Sequence, residues 1–170
     1  MIVINLFGGP GVGKSTIASG LFSLMKKQRL NVELVTEYAK DMTWERRLNV
    51  LQDQLYVTAK QNRRLARLID HKVDWVITDS PLPIGLLYTP EDYYSNYKPF
   101  LLEVFNSYNN VNFLIERRVK YDTTGRNQNE YEAKLIDEKL RKFLVDFNIS
   151  YHSAADEHEI LKELLGERLI

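Results

Sequence analysis

Residues 8–16 read GGPGVGKST and follow directly on the apolar run MIVINLF of residues 1–7. Glycine lets a backbone take turns closed to other residues and approach a ligand closely. The successive N–H groups of such a loop form a nest for an anion. A helix starting at Lys14 adds unpaired N–H groups and the positive end of its dipole. The spacing Gly8-x-x-x-x-Gly13-Lys14-Ser15, with a strand before it and a helix after it, fits a phosphate-binding loop. Gly8, Gly9, Pro10, Gly11, Val12, Gly13, Lys14, Ser15 and Thr16 are therefore the expected phosphate-binding residues. Lys14 would reach the outer phosphates of a nucleoside triphosphate, and the Ser15 hydroxyl would ligate Mg²⁺.

Working outward, residues 2–7 form a nearly continuous apolar strand broken only by Asn5, as in a parallel sheet covered on both faces. Ile17, Ala18, Leu21, Phe22, Leu24 and Met25 recur at helical spacing. NVELVTE is a second strand, DWVITD a third, VNFLIE a fourth and ISYH a short fifth. Between them the pattern predicts a long amphipathic helix over about 44–71, an irregular Pro-containing connection after residue 80, and helices over 100–108, 131–147 and 157–165. Strands alternating with helices imply right-handed crossovers and a parallel sheet with helices on both faces. In such sheets the ligand lies outside the carboxyl ends of the strands.

That rule singles out the residues just after each strand. The third strand ends in Asp79, a carboxylate placed to hold Mg²⁺ opposite Ser15. The second ends near Glu37, which is placed to take a proton from an attacking hydroxyl. Pairing with a lid arginine or a place behind the metal is the other reading of Glu37, and Asp41 is the reserve base. After the fourth strand, ERRVKYDTTGRNQ carries Arg117, Arg118, Lys120 and Arg126 around a Thr-Thr-Gly turn. Cations on a closing segment stabilise the charge of a transferring phosphoryl group and exclude water. A lid over about 117–130 is expected, with Arg118 and Arg126 as its phosphate-facing residues.

Composition narrows the class. At 170 residues the chain is expected to be a single domain, 1–170. Its 23 basic and 23 acidic side chains cancel, so no global field points to nucleic acid or membrane. There is no cysteine, which removes disulfides and thiolate metal sites. No stretch approaches the ~20 apolar residues of a membrane helix, and the apolar start reads as a core strand, so a cytoplasmic protein is expected. A local basic face remains: Lys60, Arg63, Arg64 and Arg67 follow Arg46 and Arg47.

The phosphate loop, the carboxylate after the second strand, TDSP on the third and the Arg-rich segment after the fourth together resemble the nucleoside and nucleotide kinase group. More closely, VTEYAKD with ERRVKYDTTGRNQNEYEA is similar to the ribosylnicotinamide-kinase-like branch of small P-loop proteins, which includes virus-encoded kinases. The resemblance implies a five-stranded parallel sheet of order 2-3-1-4-5, ATP as donor and Mg²⁺ as metal. It implies an acceptor hydroxyl on a nucleoside- or nucleotide-like molecule, activated by Glu37 or Asp79. It also places the loop near Ser153 to Ala155 beside adenine. QDQLYV is similar to the glutamine-bearing helix that reads the base edge in deoxynucleoside kinases, which makes Gln54 the substrate-binding candidate, with Gln52 and Gln61 behind it. The acidic-Arg-Ser pattern of those kinases is absent: Asp79-Ser80-Pro81 holds no arginine. Acceptor identity therefore does not carry over. Two other readings stand beside this one. A hydroxymethyl-pyrimidine within DNA is the alternative acceptor, tracked by the basic face, though zero net charge does not favour it. A non-kinase ATPase or switch is the second, weakened because ring-forming ATPases add a helical subdomain and GTPases an Asn-Lys-x-Asp segment.

Overall fold

The computed structural model describes residues 1–118 and 129–166. Five parallel strands form one sheet in the order β2-β3-β1-β4-β5. They are β1 (Ile2–Phe7), β2 (Val32–Val35), β3 (Trp75–Thr78), β4 (Asn109–Ile115) and β5 (His152–Ala154). The helices are α1 (Lys14–Lys27), α2 (Tyr38–Trp44), α3 (Leu48–Leu51), α4 (Gln54–Ala66), α5 (Tyr97–Asn106), α6 (Glu130–Asp146) and α7 (Glu157–Leu165), with a 3₁₀ helix at Leu82–Tyr88. The expected strand order and layering are thus present.

Alternation along β1 divides the core. Val3 and Phe7 pack in a cluster with Leu65 of α4, Leu101 of α5 and Leu140 and Leu144 of α6. Ile4 and Leu6 pack on the opposite face with Ile17, Leu21 and Met25 of α1 and Ile160 of α7. Asn5, the polar break in that strand, is buried but satisfied. Its Nδ2 donates to Asn110 Oδ1 (2.9 Å) and Asn112 Oδ1 (3.0 Å) of β4. Asn112 in turn donates to Ser150 O at 3.0 Å.

The sequence pattern and the structure differ in three places. The long helix expected over 44–71 is instead the short α3 and then α4, which stops at Ala66, behind a separate α2 that ends at Trp44. Arg46 adopts φ 58° after α2, with Arg46 N–H bonded to Thr43 O and Arg47 N–H to Met42 O, a Schellman stop built without glycine. Asp53 then caps α4, accepting from Tyr56 N–H at 3.0 Å. The fifth strand lies at 152–154 rather than 149–152. Asn148 (φ 51°) and Ile149 close α6 in the same motif, Ile149 N–H bonding Leu144 O at 2.9 Å, so those residues are not free to pair. Helix α5 begins at Tyr97, three residues early, because Pro99 falls within its first turn, where no N–H is required. Helix α7 runs over 157–165 as expected, and α6 starts on a capping box between Asn129 and Glu132.

Candidate active site

Gly13, at φ 101°, takes the left-handed turn that delivers the chain into α1 without a side-chain cap. The first turn of α1 holds no acidic residue, so its N–H groups and dipole remain available to an anion. Lys14 is folded along the loop, its Nζ donating to Gly8 O (2.7 Å) and Gly9 O (2.9 Å). Burial lowers the Lys14 pKa; Glu37, Asp79 and Asp137 oppose that shift, and Arg117 adds to it.

Asp79, the residue after β3, is 4% exposed. Its Oδ2 accepts from Ser15 Oγ at 2.6 Å, while Oδ1 is buried with no hydrogen-bond partner among the described residues. An orphaned carboxylate oxygen beside a hydroxyl is a donor set suited to a hard cation, and Mg²⁺ characteristically takes one or two protein oxygens and completes its shell with phosphates and water. Ser15 and Asp79 therefore fit the metal expected of them. No group of three or more His, Asp or Glu that could hold a metal ion occurs among the described residues.

Glu37 precedes α2 and does not cap it with its side chain. Burial raises its pKa, against the pull of Lys14, and the Asp79 charge adds to the rise. The peptides on either side of Glu37 are gripped from α4. Gln61 accepts from Tyr38 N–H at 2.9 Å and donates to Thr36 O at 3.3 Å, and Arg64 Nη1 donates to the same carbonyl at 3.0 Å. Arg64 also holds Asp41 in an ion pair. That occupies the reserve base, and it draws one arginine of the basic face into the domain; Arg63 and Arg67 stay exposed. Gln61 is thus a backbone clamp in this structure. Gln54 is buried at the start of α4, with Nε2 donating to Leu51 O at 2.6 Å. Its Oε1 lies 3.4 Å from where a Cβ on Gly85 would sit, so it faces the 3₁₀ helix. Tyr93 and Tyr97 brace that region: Tyr93 Oη accepts from Leu55 N–H (3.1 Å) and Tyr97 Oη donates to Gln54 O (2.9 Å).

After β4 the two arginines part. Arg117 turns inward, its Nε donating to Asp137 Oδ2 (2.7 Å) and its Nη2 to Pro10 O (2.8 Å). Arg118 is 61% exposed and pairs with Glu116 at 2.9 Å. The structure thus brings Arg117, rather than Arg118, against the phosphate loop. Lys120 and Arg126 lie outside the described residues. At the far edge, Ser153 to Ala155 sit at the end of β5, where Ala155 N–H bonds Glu159 Oε2 at 2.7 Å. Sequence reasoning missed Asp137. Its signal was a carboxylate on the apolar stripe of α6, four residues after Ala133 and three before Leu140.

A parallel sheet of this order, with a phosphate loop between β1 and α1 and carboxylates after β2 and β3, defines a P-loop fold of the nucleoside-kinase type. The family model AAA_28, described as an AAA domain, matches residues 3–159, and the chain belongs to that family. Among solved structures, one described as NadR protein in complex with NR aligns at TM-score 0.70 and 16% identity, covering 98% of this chain and 50% of that one. The chain therefore spans about half the length of that protein. Deoxyadenosine kinase from M. mycoides with bound dATP aligns at TM-score 0.59 and 18% identity, covering 95% of this chain and 98% of that one. No curated protein matches the sequence. Among the described residues, no helix is long and apolar enough to cross a membrane.

Proposed function

We propose that this chain is a kinase that moves the γ-phosphoryl group of ATP, with Mg²⁺, to a hydroxyl of a nucleoside-like acceptor. The observation that carries this reading is the pairing of two carboxylates around Lys14. Asp79 is bonded to the Ser15 hydroxyl, whereas Glu37 is held at the neighbouring strand end by its backbone and kept out of that pair. A base at Glu37 could serve water or an organic hydroxyl; the choice of an organic acceptor draws its support from the folds this chain matches. The folds it matches, solved with NR and with dATP, support a nucleoside-like ligand.

In this reading the α1 N-terminus and Lys14 bind the phosphates, and Ser15 and Asp79 hold the metal. Mg²⁺ would neutralise charge on the phosphate oxygens. Glu37 accepts the proton of the acceptor hydroxyl as its oxygen bonds to the γ-phosphorus. The bond from that phosphorus to the β-phosphate oxygen breaks, and ADP leaves. A carboxylate with a raised pKa is a stronger base than an ordinary one. Arg117, and Arg126 from the expected lid, supply positive charge beside the transferring group. Gln54 and the 3₁₀ helix Leu82–Tyr88 would line the acceptor's base.

The test is transfer from γ-labelled ATP to a panel of nucleosides, nucleoside monophosphates, nicotinamide riboside, and DNA with and without hydroxymethylated pyrimidines. Label in one acceptor, lost in Lys14→Ala, is the expected result. Label released only as inorganic phosphate would overturn the kinase in favour of an ATPase.

A further inference from the structure

One carboxylate outside the reaction just described reaches the phosphate loop directly at Gly9 and, through Arg117, at Pro10. Asp137 Oδ1 accepts from Gly9 N–H at 2.8 Å, and Oδ2 accepts from Arg117 Nε at 2.7 Å. Arg117 closes the ring by donating to Pro10 O at 2.8 Å. The carbonyl of the same Gly9 accepts from Lys14 Nζ at 2.9 Å. The two ionic side chains are largely removed from water, at 15% and 22% exposure for Arg117 and Asp137. Gly9 is where α6 meets the loop: a Cβ there would lie 2.2 Å from Asp137 Oδ1 and 3.1 Å from Ala133 O.

We propose that Asp137 is a positioning residue that braces the phosphate loop and sets its two cations, Arg117 by direct contact and Lys14 through the Gly8–Gly9 peptide, whose N–H meets Asp137 and whose carbonyl meets Lys14 Nζ at 2.7 Å. The physical reason lies in the loop's own composition. Gly8 to Gly11 have no side chain able to hold the loop, so its peptides take their orientation from outside. A carboxylate accepting from both a backbone N–H and a guanidinium makes charge-assisted hydrogen bonds, stronger and more directional than neutral ones. Preorganised donors bind phosphate without the cost of being ordered on binding. The competing reading is that Asp137 is an anion in the nucleotide's way; that reading requires nucleotide to bind more tightly when the charge is removed.

The inference rests on the proposed nucleotide binding, so its test reads nucleotide affinity apart from acceptor chemistry. Titration with a fluorescent ATP analogue in Mg²⁺ should show about tenfold or greater weakening in Asp137→Ala, the scale of losing charge-assisted bonds. In turnover, KM for ATP should rise while KM for the acceptor stays unchanged. Asp137→Asn keeps the shape and an acceptor for Gly9 but loses the anionic oxygen facing Arg117; it should fall between and remains readable if the alanine variant does not fold. Gly9→Ala is the independent arm. Gly9 is not in the left-handed region, and the severest contact of the added methyl is with Asp137 (2.2 Å, against 3.1 Å for Ala133 O), so it should weaken ATP binding at least as much as Asp137→Ala. The double variant should bind no worse than the weaker single one. Unchanged or tighter ATP binding in the Asp137 variants, additive losses in the double variant, or a lowered melting temperature with unaltered affinity would each overturn the brace. Wild-type protein that binds no nucleotide would overturn the proposed function and this inference together.

Discussion

The two carboxylates beside Lys14 are held in opposite ways. Asp79 is fixed through its own side chain, bonded to Ser15 at 2.6 Å in a buried setting. Glu37 is fixed through its neighbours, by a glutamine and an arginine that grip the peptides before and after it. A carboxylate whose pKa burial raises, as it does for Glu37, is a stronger proton acceptor than an ordinary one. In the proposed mechanism this contrast suits Asp79 to holding the metal and Glu37 to proton transfer.

The largest expected effect would remove the charge both carboxylates share. Lys14→Ala should lower turnover by roughly 10²–10³-fold or more, as for other removed transition-state donors, measured by initial rates at saturating acceptor. Glu37→Gln sharpens the contrast in two directions. Turnover should fall by about 10²–10⁴-fold, the usual contribution of a positioned base, with ATP affinity preserved. Its stability should change with the opposite sign. Because burial raises the Glu37 pKa above the ordinary 4.5, the folded state binds this proton more tightly than the unfolded one. The corresponding stability is complete below the unfolded value and lost as pH rises through the folded one. Glu37→Gln should therefore melt higher than wild type at pH 8 and equal to it at about pH 4. Equal melting at both would mean that Glu37 carries no such strain. Wild-type turnover should fall on acidification at a higher pH than an ordinary carboxylate gives, and an acid limb at or below 4.5 would return the base role to another group.

A smaller effect probes the grip itself. Gln61→Leu keeps the volume but releases Thr36 and Tyr38, so kcat should fall about tenfold while ATP KM holds, a misplacement cost rather than a lost reactant. Arg118→Ala should be smallest, within ~0.5 kcal/mol in stability, since its pair with Glu116 is exposed. Arg126→Ala, by contrast, should lower kcat more than it raises ATP KM if the lid acts on the transition state.

The phosphate loop and the sheet were legible because each rests on local chemistry: glycines before Lys14 and apolar runs ending in charge. Strand ends pointed to Glu37 and Asp79 for the same reason. What was not legible depended on tertiary partners. Nothing local distinguishes Arg117 from Arg118; only the approach of Pro10 and Asp137 turns one inward. Gln61 has the residue type of a base reader, and its use as a clamp requires knowing that Thr36 and Tyr38 lie across from it. The breaks in the expected long helix rest on Arg46 and Asp53, whose left-handed and capping roles compete with an otherwise helical pattern.

The asparagines between β1 and β4 have a consequence for the site. A slip of β4 by one residue would turn Asn110 and Asn112 to the other side of the sheet and leave the Asn5 amide stranded among apolar side chains. A slip of two would keep the side but move everything beyond the strand by about 6.6 Å along its axis. Arg117 stands two residues beyond β4, so those three amides act as an index mark. They fix the height at which the guanidinium meets Pro10, well away from the phosphate loop they serve.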